Sequence, residues 1–159
     1  MEDANNDIID KFPSRLKEYL LKEKNKDFFN SISLTYDKVC VYRGVRSTVT
    51  LSPNDFLSNI DDFFCLGFGS SPKDEVGNYG VSVNENLDML KKALGFPNAR
   101  KGIKGIAKGF MECQYGPATF EGKHPHHNWF LFEKANIDVA EKFEILEEKI
   151  WKLVNYGIT

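Results

Sequence analysis

Short strand-like segments alternate irregularly with amphipathic helical segments along this chain, and this alternation restricts the fold more than any other feature. Strands are predicted at 38–43, 79–83, 105–114 and 129–133, and helices at 14–32, 52–63, 84–94 and 136–154. A loop is predicted at 66–78, and periodicity fits either a strand or a helix at 142–147. The order lacks a regular βαβ repeat and a phosphate fingerprint after the first strand, which favours an α+β fold over a doubly wound one.

The size and composition fit one domain over residues 1–159. The chain is 42% hydrophobic and 13% aromatic, which supplies enough apolar side chains for one core. We therefore expect a central, mostly antiparallel sheet of short strands, with helices packed at its faces and a C-terminal helix.

The charge and the termini limit the partners and the compartment. The net charge is −2, so no global field draws the protein to nucleic acid or to an anionic membrane. The start of the chain is acidic and lacks the features of a signal peptide, and the three cysteines form no disulfide pattern. A cytoplasmic location without membrane association is predicted, and secretion that needs no signal is compatible with the same sequence.

Two strand motifs supply candidate site residues. The first ends in Tyr42-Arg43-Gly44, which places a guanidinium at a strand end, where it can make paired hydrogen bonds to phosphate. The second is Tyr79-Gly80-Val81-Ser82, whose Ser82 hydroxyl can bond to a neighbouring site residue. A surface arginine before a turn and an ordinary strand hydroxyl are the alternative interpretations.

A basic, glycine-spaced stretch offers a separate anion site. Between Asp88 and Glu112 all charged residues are basic, namely Lys91, Lys92, Arg100, Lys101, Lys104 and Lys108. Amide groups exposed at glycines, together with positive charge, suit a pyrophosphate or a nucleic-acid backbone. A solvated surface is the alternative interpretation.

Polar residues before the last predicted strand, and at the end of the strand at 105–114, are further candidates. All three histidines fall in His124-Pro125-His126-His127, and Asn128 follows them. No neighbouring ligand pattern completes a zinc site, so no metal is predicted, and His127 or Asn128 is expected to line a cleft. A polar loop before a buried strand is the alternative. Glu112 is predicted to share one strand side with Gln114, which would make it a candidate carboxylate near an arginine.

Taken in order, these motifs resemble those of ADP-ribosyltransferase toxins and effectors of the arginine–serine–glutamate class. Tyr42-Arg43-Gly44 is similar to the first motif of that family, and Tyr79-Gly80-Val81-Ser82 to the second. The third motif, a Gln or Glu followed by any residue and then Glu, corresponds to Glu112-Cys113-Gln114, with glutamine at the second acidic position. The resemblance implies NAD as cofactor, Arg43 on its phosphates, Ser82 bracing the site, and Glu112 stabilising an oxocarbenium-like transition state.

Three functions follow from these motifs. The lead interpretation is an NAD-binding, ADP-ribosyltransferase-like domain of a bacterial toxin or effector type, whose expected cofactor-binding residues are Tyr42, Gly44, Tyr79, Gly80, Lys101, Lys104, His127 and Asn128. The alternative is a nucleic-acid or anion-binding module that uses the 100–109 segment, through Arg100, Lys101, Lys104 and Lys108. The third is an immunity-type protein that binds a toxin or another protein target without catalysis, because its acidic segment at 133–148 can steer a basic partner.

Overall fold

Helices and one antiparallel sheet form the domain, in a computed structural model that describes residues 2–22, 25–96, 99 and 102–147. The helices are α1 (Glu2–Lys11), α2 (Ser14–Lys22), α3 (Asn25–Ser31), α4 (Asn59–Leu66), α5 (Leu87–Leu94) and α6 (Ala135–Lys142). The strands are β1 (Ile32–Ser33), β2 (Val39–Val45), β3 (Val81–Asn84), β4 (Gly105–Met111), β5 (Ala118–Thr119), β6 (His126–Trp129) and β7 (Glu144–Ile145). Their order in the sheet is β1-β5-β6-β3-β2-β4-β7, and every pair is antiparallel. The predicted α+β class is confirmed.

One face of the sheet carries the main hydrophobic core. Alternate residues of the central strands, such as Val41, Val83 and Trp129, point to this face and are fully buried. They pack against Val139 of α6 and against Phe143, which follows that helix. The core therefore lies between the sheet and the C-terminal part of the described chain.

The opposite face is covered by two separate groups of helices. Leu90 of α5 packs against Ile106 of β4, above the β2–β4 half of the sheet. The N-terminal helices form a second cluster around Phe12, with Phe130 beside the end of β6. The β3–β6 part of this face lies between the two groups of helices, and its polar residues are the buried Asn84 and the partly buried Ser82, His126 and Asn128.

Local signals in the sequence account for the helix ends. Asn86 caps α5, since its side chain accepts a hydrogen bond from the Met89 amide at 2.9 Å, and Gly95 ends the helix in the left-handed region at φ 82°. The predicted helix at 52–63 divides instead into a 3₁₀ turn, Pro53–Asp55, and α4. The division has a physical cause: Ser58 provides a second N-cap, and the carbonyls of Asp55 and Leu57 accept hydrogen bonds from a side chain elsewhere in the chain.

Two predicted strands end earlier than the sequence indicated. β4 ends at Met111, and a 3₁₀ turn, Cys113–Tyr115, follows, so Glu112 and Gln114 do not alternate along a strand. The strand predicted at 129–133 lies earlier in the chain, since β6 spans His126–Trp129 and thus includes residues that the alternative interpretation assigned to a polar loop. Phe130 is buried because it packs against the N-terminal helices, not because it lies in a strand covered on both faces.

The N- and C-terminal parts also differ from the prediction. The helix at 14–32 is present as α2 and α3, and α1 precedes it without having been predicted. The C-terminal helix is present as α6, and the ambiguous segment at 142–147 contains β7, which pairs with Ala107 and Lys108. Residues 148–154 of the predicted helix lie outside the described residues.

Candidate functional site

Arg43 binds the protein's own backbone. Its Nε donates to the carbonyl of Asp55 at 2.7 Å, and its two terminal nitrogens donate to the carbonyls of Ser82 and Leu57 at 2.8 and 2.9 Å. Burial lowers the pKa of Arg43 to about 10, so the guanidinium stays charged at neutral pH. The side chain thus connects the 3₁₀ turn and the start of α4 to β3.

The residues after Arg43 continue this internal network. Arg46 makes a two-pronged ion pair with the buried Asp62, at 3.1 and 3.3 Å, and its guanidinium lies over the Phe68 ring at 3.7 Å. The buried Asp55 carboxylate accepts from the amides of Arg46, Ser47 and Ser52 and from the Ser47 hydroxyl. A carboxylate with this many donors is satisfied without a ligand.

The three catalytic residues expected from the resemblance do not converge. Tyr42 pairs with Asn84 across β2 and β3, so Ser82 points to the same face as Tyr42, while Arg43 points to the other. Glu112 lies just beyond β4, five residues from Ala107, the cross-strand partner of Arg43. Five residues of extended chain span about 17 Å. The Arg43 guanidinium therefore contacts only the backbone carbonyl of Ser82, and the structure brings neither the Ser82 hydroxyl nor Glu112 to it.

A different set of polar side chains crosses the partly covered face in one line. Lys108 of β4 lies opposite Tyr42 of β2, Tyr42 opposite Asn84 of β3, and Asn84 opposite His126 of β6. Directly opposed residues of antiparallel strands point to the same face, so these four side chains form what we call the polar row. At about 4.8 Å per strand, the row is about 14 Å long.

Ser82, which lies beside the row, makes a close side-chain contact with His126, the row member on β6. The Ser82 Oγ lies 2.7 Å from the His126 Nε2, and both residues are partly buried. Burial, assisted by the charges of His124 and His127, lowers the pKa of His126, while Glu121 acts in the opposite direction. The ring is therefore neutral at pH 7, and the arrangement allows the Ser82 hydroxyl to donate to it.

Two asparagines of this face have amide groups with no protein partner among the described residues. Asn84 is only 5% exposed, and its Oδ1 accepts a hydrogen bond from the Asn86 backbone amide at 2.7 Å. The NH₂ group of the Asn84 side chain takes no part in that bond. Asn128, directly opposite Ser82, makes no side-chain hydrogen bond within the same part of the chain. Buried amide donors normally have an acceptor, so the face is suited to a ligand rich in acceptor oxygens.

His127 lies on the other face and has a structural role. It is 2% exposed, and its Nδ1 and Nε2 lie 2.7 Å from the Thr119 carbonyl and from a carboxylate oxygen of Glu85. Both ring nitrogens therefore have a partner within the protein. These two contacts connect the turn after β3 with β5 and β6. His127 does not line the polar row.

The remaining candidates are scattered. Gly44 lies beneath Leu94 of α5, Gly80 faces Asn128 and Phe130, and the Tyr79 hydroxyl donates to Asp74 at 2.6 Å. Lys104 is exposed at the start of β4. Arg100 and Lys101 lie outside the described residues. The basic residues of this stretch that the structure does describe are the exposed Lys104 and Lys108 and, in α5, the buried Lys91 and the exposed Lys92.

Sequence inspection missed the residue that completes the row. Asn84 received no role, because it was taken as the start of a helix and not as the end of β3. Period-two alternation over Ser82 and Asn84 was the available signal, but pairing with Tyr42 and His126 depends on the strand order.

Comparisons with models of protein families, with curated proteins and with solved structures gave no match to this chain. No helix in the described ranges is long and apolar enough to cross a membrane. Those ranges also hold no group of three His, Cys, Asp or Glu side chains placed to bind a metal ion.

Proposed function

We propose that the polar row binds a phosphate-bearing nucleotide, with NAD as the first ligand to test. The observation that carries this proposal is the buried Asn84, whose amide donors lack a partner among the described contacts, between the aromatic ring of Tyr42 and the imidazole of His126. Hydrogen-bond donors and an aromatic surface together are what nucleotide phosphates and bases require.

Charge supports the same ligand class. The Lys108 Nζ lies 5.9 Å from the Tyr42 ring centroid, so a cation flanks the aromatic member of the row. His124, which is exposed, lies beside His126 at the other end. A protein of net charge −2 can bind an anion locally when a lysine lies at one end of a polar row and imidazole groups lie at the other.

The proposal concerns binding rather than transfer of ADP-ribose. Transfer by the mechanism that the resemblance implies requires a carboxylate beside the bound nicotinamide ribose. Glu112 lies four residues beyond Lys108, about 14 Å along the chain direction of β4. Transferase activity therefore stays a prediction, separate from the ligand site.

Calorimetric titration with NAD, with ADP and with a single-stranded oligonucleotide tests the proposal. We expect saturable NAD or ADP binding, weakened about 10- to 100-fold by Asn128→Ala, since a hydrogen bond to a charged group contributes about 1.5–3 kcal/mol. Asn54→Ala is the matched control, because Asn54 is exposed on the 3₁₀ turn, away from the row. Lys108→Ala should weaken binding and reduce its salt dependence, whereas Lys73→Ala, in an exposed loop, should do neither.

Each ligand has a distinct outcome. Binding of the oligonucleotide alone, with a steep salt dependence, would favour the nucleic-acid interpretation. The nucleotide proposal fails when neither NAD nor ADP binds, or when Asn128→Ala and Lys108→Ala bind as tightly as the unaltered protein.

Binding of a basic protein partner is a second candidate function, favoured by a different surface. An open cleft of about 550 Å³ lies between the 49–53 loop and the α6–β7 segment. Its walls combine Val49, which is 87% exposed, and the exposed Ile137 with the acidic Glu141 and Glu144. A pulldown from the source cells that recovers no stoichiometric partner, or an equal recovery with Glu141→Lys, would count against this function.

A further inference from the structure

The Ser82 and His126 pair has the geometry of a nucleophile and its general base. Oγ and Nε2 are 2.7 Å apart, within the range required for direct proton transfer. Both residues are partly buried on the polar row face, in the β3–β6 part of the sheet that lies between α5 and the N-terminal helices. We propose that Ser82 is a nucleophile, activated by His126, that attacks the phosphorus of phosphoesters bound along the polar row.

The proton moves from Ser82 to His126. The neutral His126 ring can accept at Nε2, because burial and the nearby charges of His124 and His127 disfavour its protonation. Burial is the largest of these causes, and the charge of His124 acts more strongly than that of His127. The His126 amide donates to the His124 Nδ1 at 3.2 Å, which fixes the backbone that carries the base.

The step is balanced as a displacement at phosphorus. The Oγ–P bond forms, the hydroxyl proton passes to the His126 Nε2, and the bond from phosphorus to the leaving oxygen breaks. That leaving oxygen takes the proton from Nε2. Water then attacks the phosphorus of the phosphoserine, and its proton passes to the His126 Nε2. The Oγ–P bond breaks, Oγ takes the proton from Nε2, and the phosphate product leaves, which restores the serine.

Asn128 is the group best placed to stabilise the charged phosphoryl oxygens. It lies directly opposite Ser82 on the neighbouring strand, where Cβ atoms of paired residues are about 5 Å apart. Its backbone amide donates to the Thr119 Oγ1 at 2.9 Å, whereas its side-chain amide has no hydrogen-bond partner within the described part of the chain. We expect the Asn128 amide to act as a donor to the transition state, a role that typically contributes about 100-fold or more to a rate.

Labelling of the full chain with a fluorophosphonate tests the nucleophile without knowledge of the natural substrate. In this reaction Oγ bonds to phosphorus, fluoride leaves, and the proton goes to His126. Peptide mapping should place the label on Ser82, and His126→Gln should slow labelling by about 100-fold, the contribution of a general base. The labelling rate of the unaltered protein should rise with pH through a pKa below the usual histidine value of about 6.5.

The controls separate reactivity from folding and from ligand binding. Ser58, whose hydroxyl caps α4 and accepts from the Asp61 amide, provides an internal serine that should not react. His126→Asn provides a second substitution, and the circular dichroism spectra of both variants establish that they are folded. No label on Ser82, equal labelling of several serines, or a rate independent of pH and of His126 would overturn the inference.

The inference rests on the proposed nucleotide site for its substrate class, and the two can fail independently. NAD or ADP binding with an unreactive Ser82 would overturn only the nucleophile. A reactive Ser82 in a protein that binds neither nucleotide would instead overturn the ligand class, and it would direct the search to other phosphoesters.

Discussion

Replacing Arg43 by alanine removes a side chain that holds three backbone segments together. The guanidinium donates to the carbonyls of Asp55, Leu57 and Ser82 at 2.7–2.9 Å. Hydrogen bonds to charged groups contribute about 1.5–3 kcal/mol each, and an acceptor left unsatisfied costs about 1–3 kcal/mol. Because partly buried carbonyls can recover some hydrogen bonding with water, we expect a loss of about 3–5 kcal/mol in the free energy of unfolding. Native proteins have about 5–15 kcal/mol in total, so this loss is large.

Urea denaturation followed by tryptophan fluorescence measures the effect, since Trp129 is fully buried in the core. With a slope of about 2 kcal/mol per molar urea, the midpoint should fall by about 2 M. Arg43→Lys should lower the free energy of unfolding less than Arg43→Ala does, because lysine keeps the charge. It should still be destabilising, because a single amine cannot contact three separated carbonyls.

Arg15→Ala is the control for the loss of an arginine. Arg15 makes an exposed ion pair with Asp61 at 2.9 Å, and pairs of this kind contribute about 1 kcal/mol or less. A loss for Arg43→Ala no greater than that of the control would refute the structural role of Arg43. If Arg43→Ala were as stable as the unaltered protein and no longer bound NAD, the Arg43 guanidinium would have to contact the ligand.

Two further predictions concern α5 and the histidine pair. Gly44→Ala should destabilise the protein by about 1–3 kcal/mol in the same urea assay, because the added Cβ would collide with the Leu94 side chain. A Cβ added at Gly105 would lie 3.5 Å from its nearest neighbouring atom, so Gly105→Ala should destabilise the protein less. An equal loss of stability in the two variants would contradict the packing argument. The pKa of His126 is lowered in the folded state, so the unfolded chain binds more protons once the pH falls below about 6.5, and the melting temperature should decrease there. Thermal melts at pH 5 and pH 7.5 measure this decrease, which should be smaller in His126→Gln; an identical decrease in that variant would assign it to other groups.

The candidate site shows which of its features sequence motifs could predict. Tyr42 and Arg43 were correctly predicted to lie in a strand, and Ser82 in another, because β-branched and aromatic residues indicate strands locally. Gly44, where that first strand was expected to end, lies within β2 instead. Their use in one site was not predictable, because Arg43 and Ser82 point to opposite faces once β2 and β3 are aligned. A shift of one residue in the pairing register moves every side chain of a strand to the other face of the sheet, and no feature local to either strand determines that register.

The sequence by itself determined the α+β class, most element types, and the end of α5 before Gly95. These depend on residues close together in the chain, whose side chains and backbone dihedrals interact directly. Only the tertiary structure decided that Glu112 follows β4 rather than lying within it, and that Asn84 completes a row from Lys108 to His126. Strand order, register and burial result from contacts between distant segments, so they decide which side chains meet, and composition and periodicity do not contain that information.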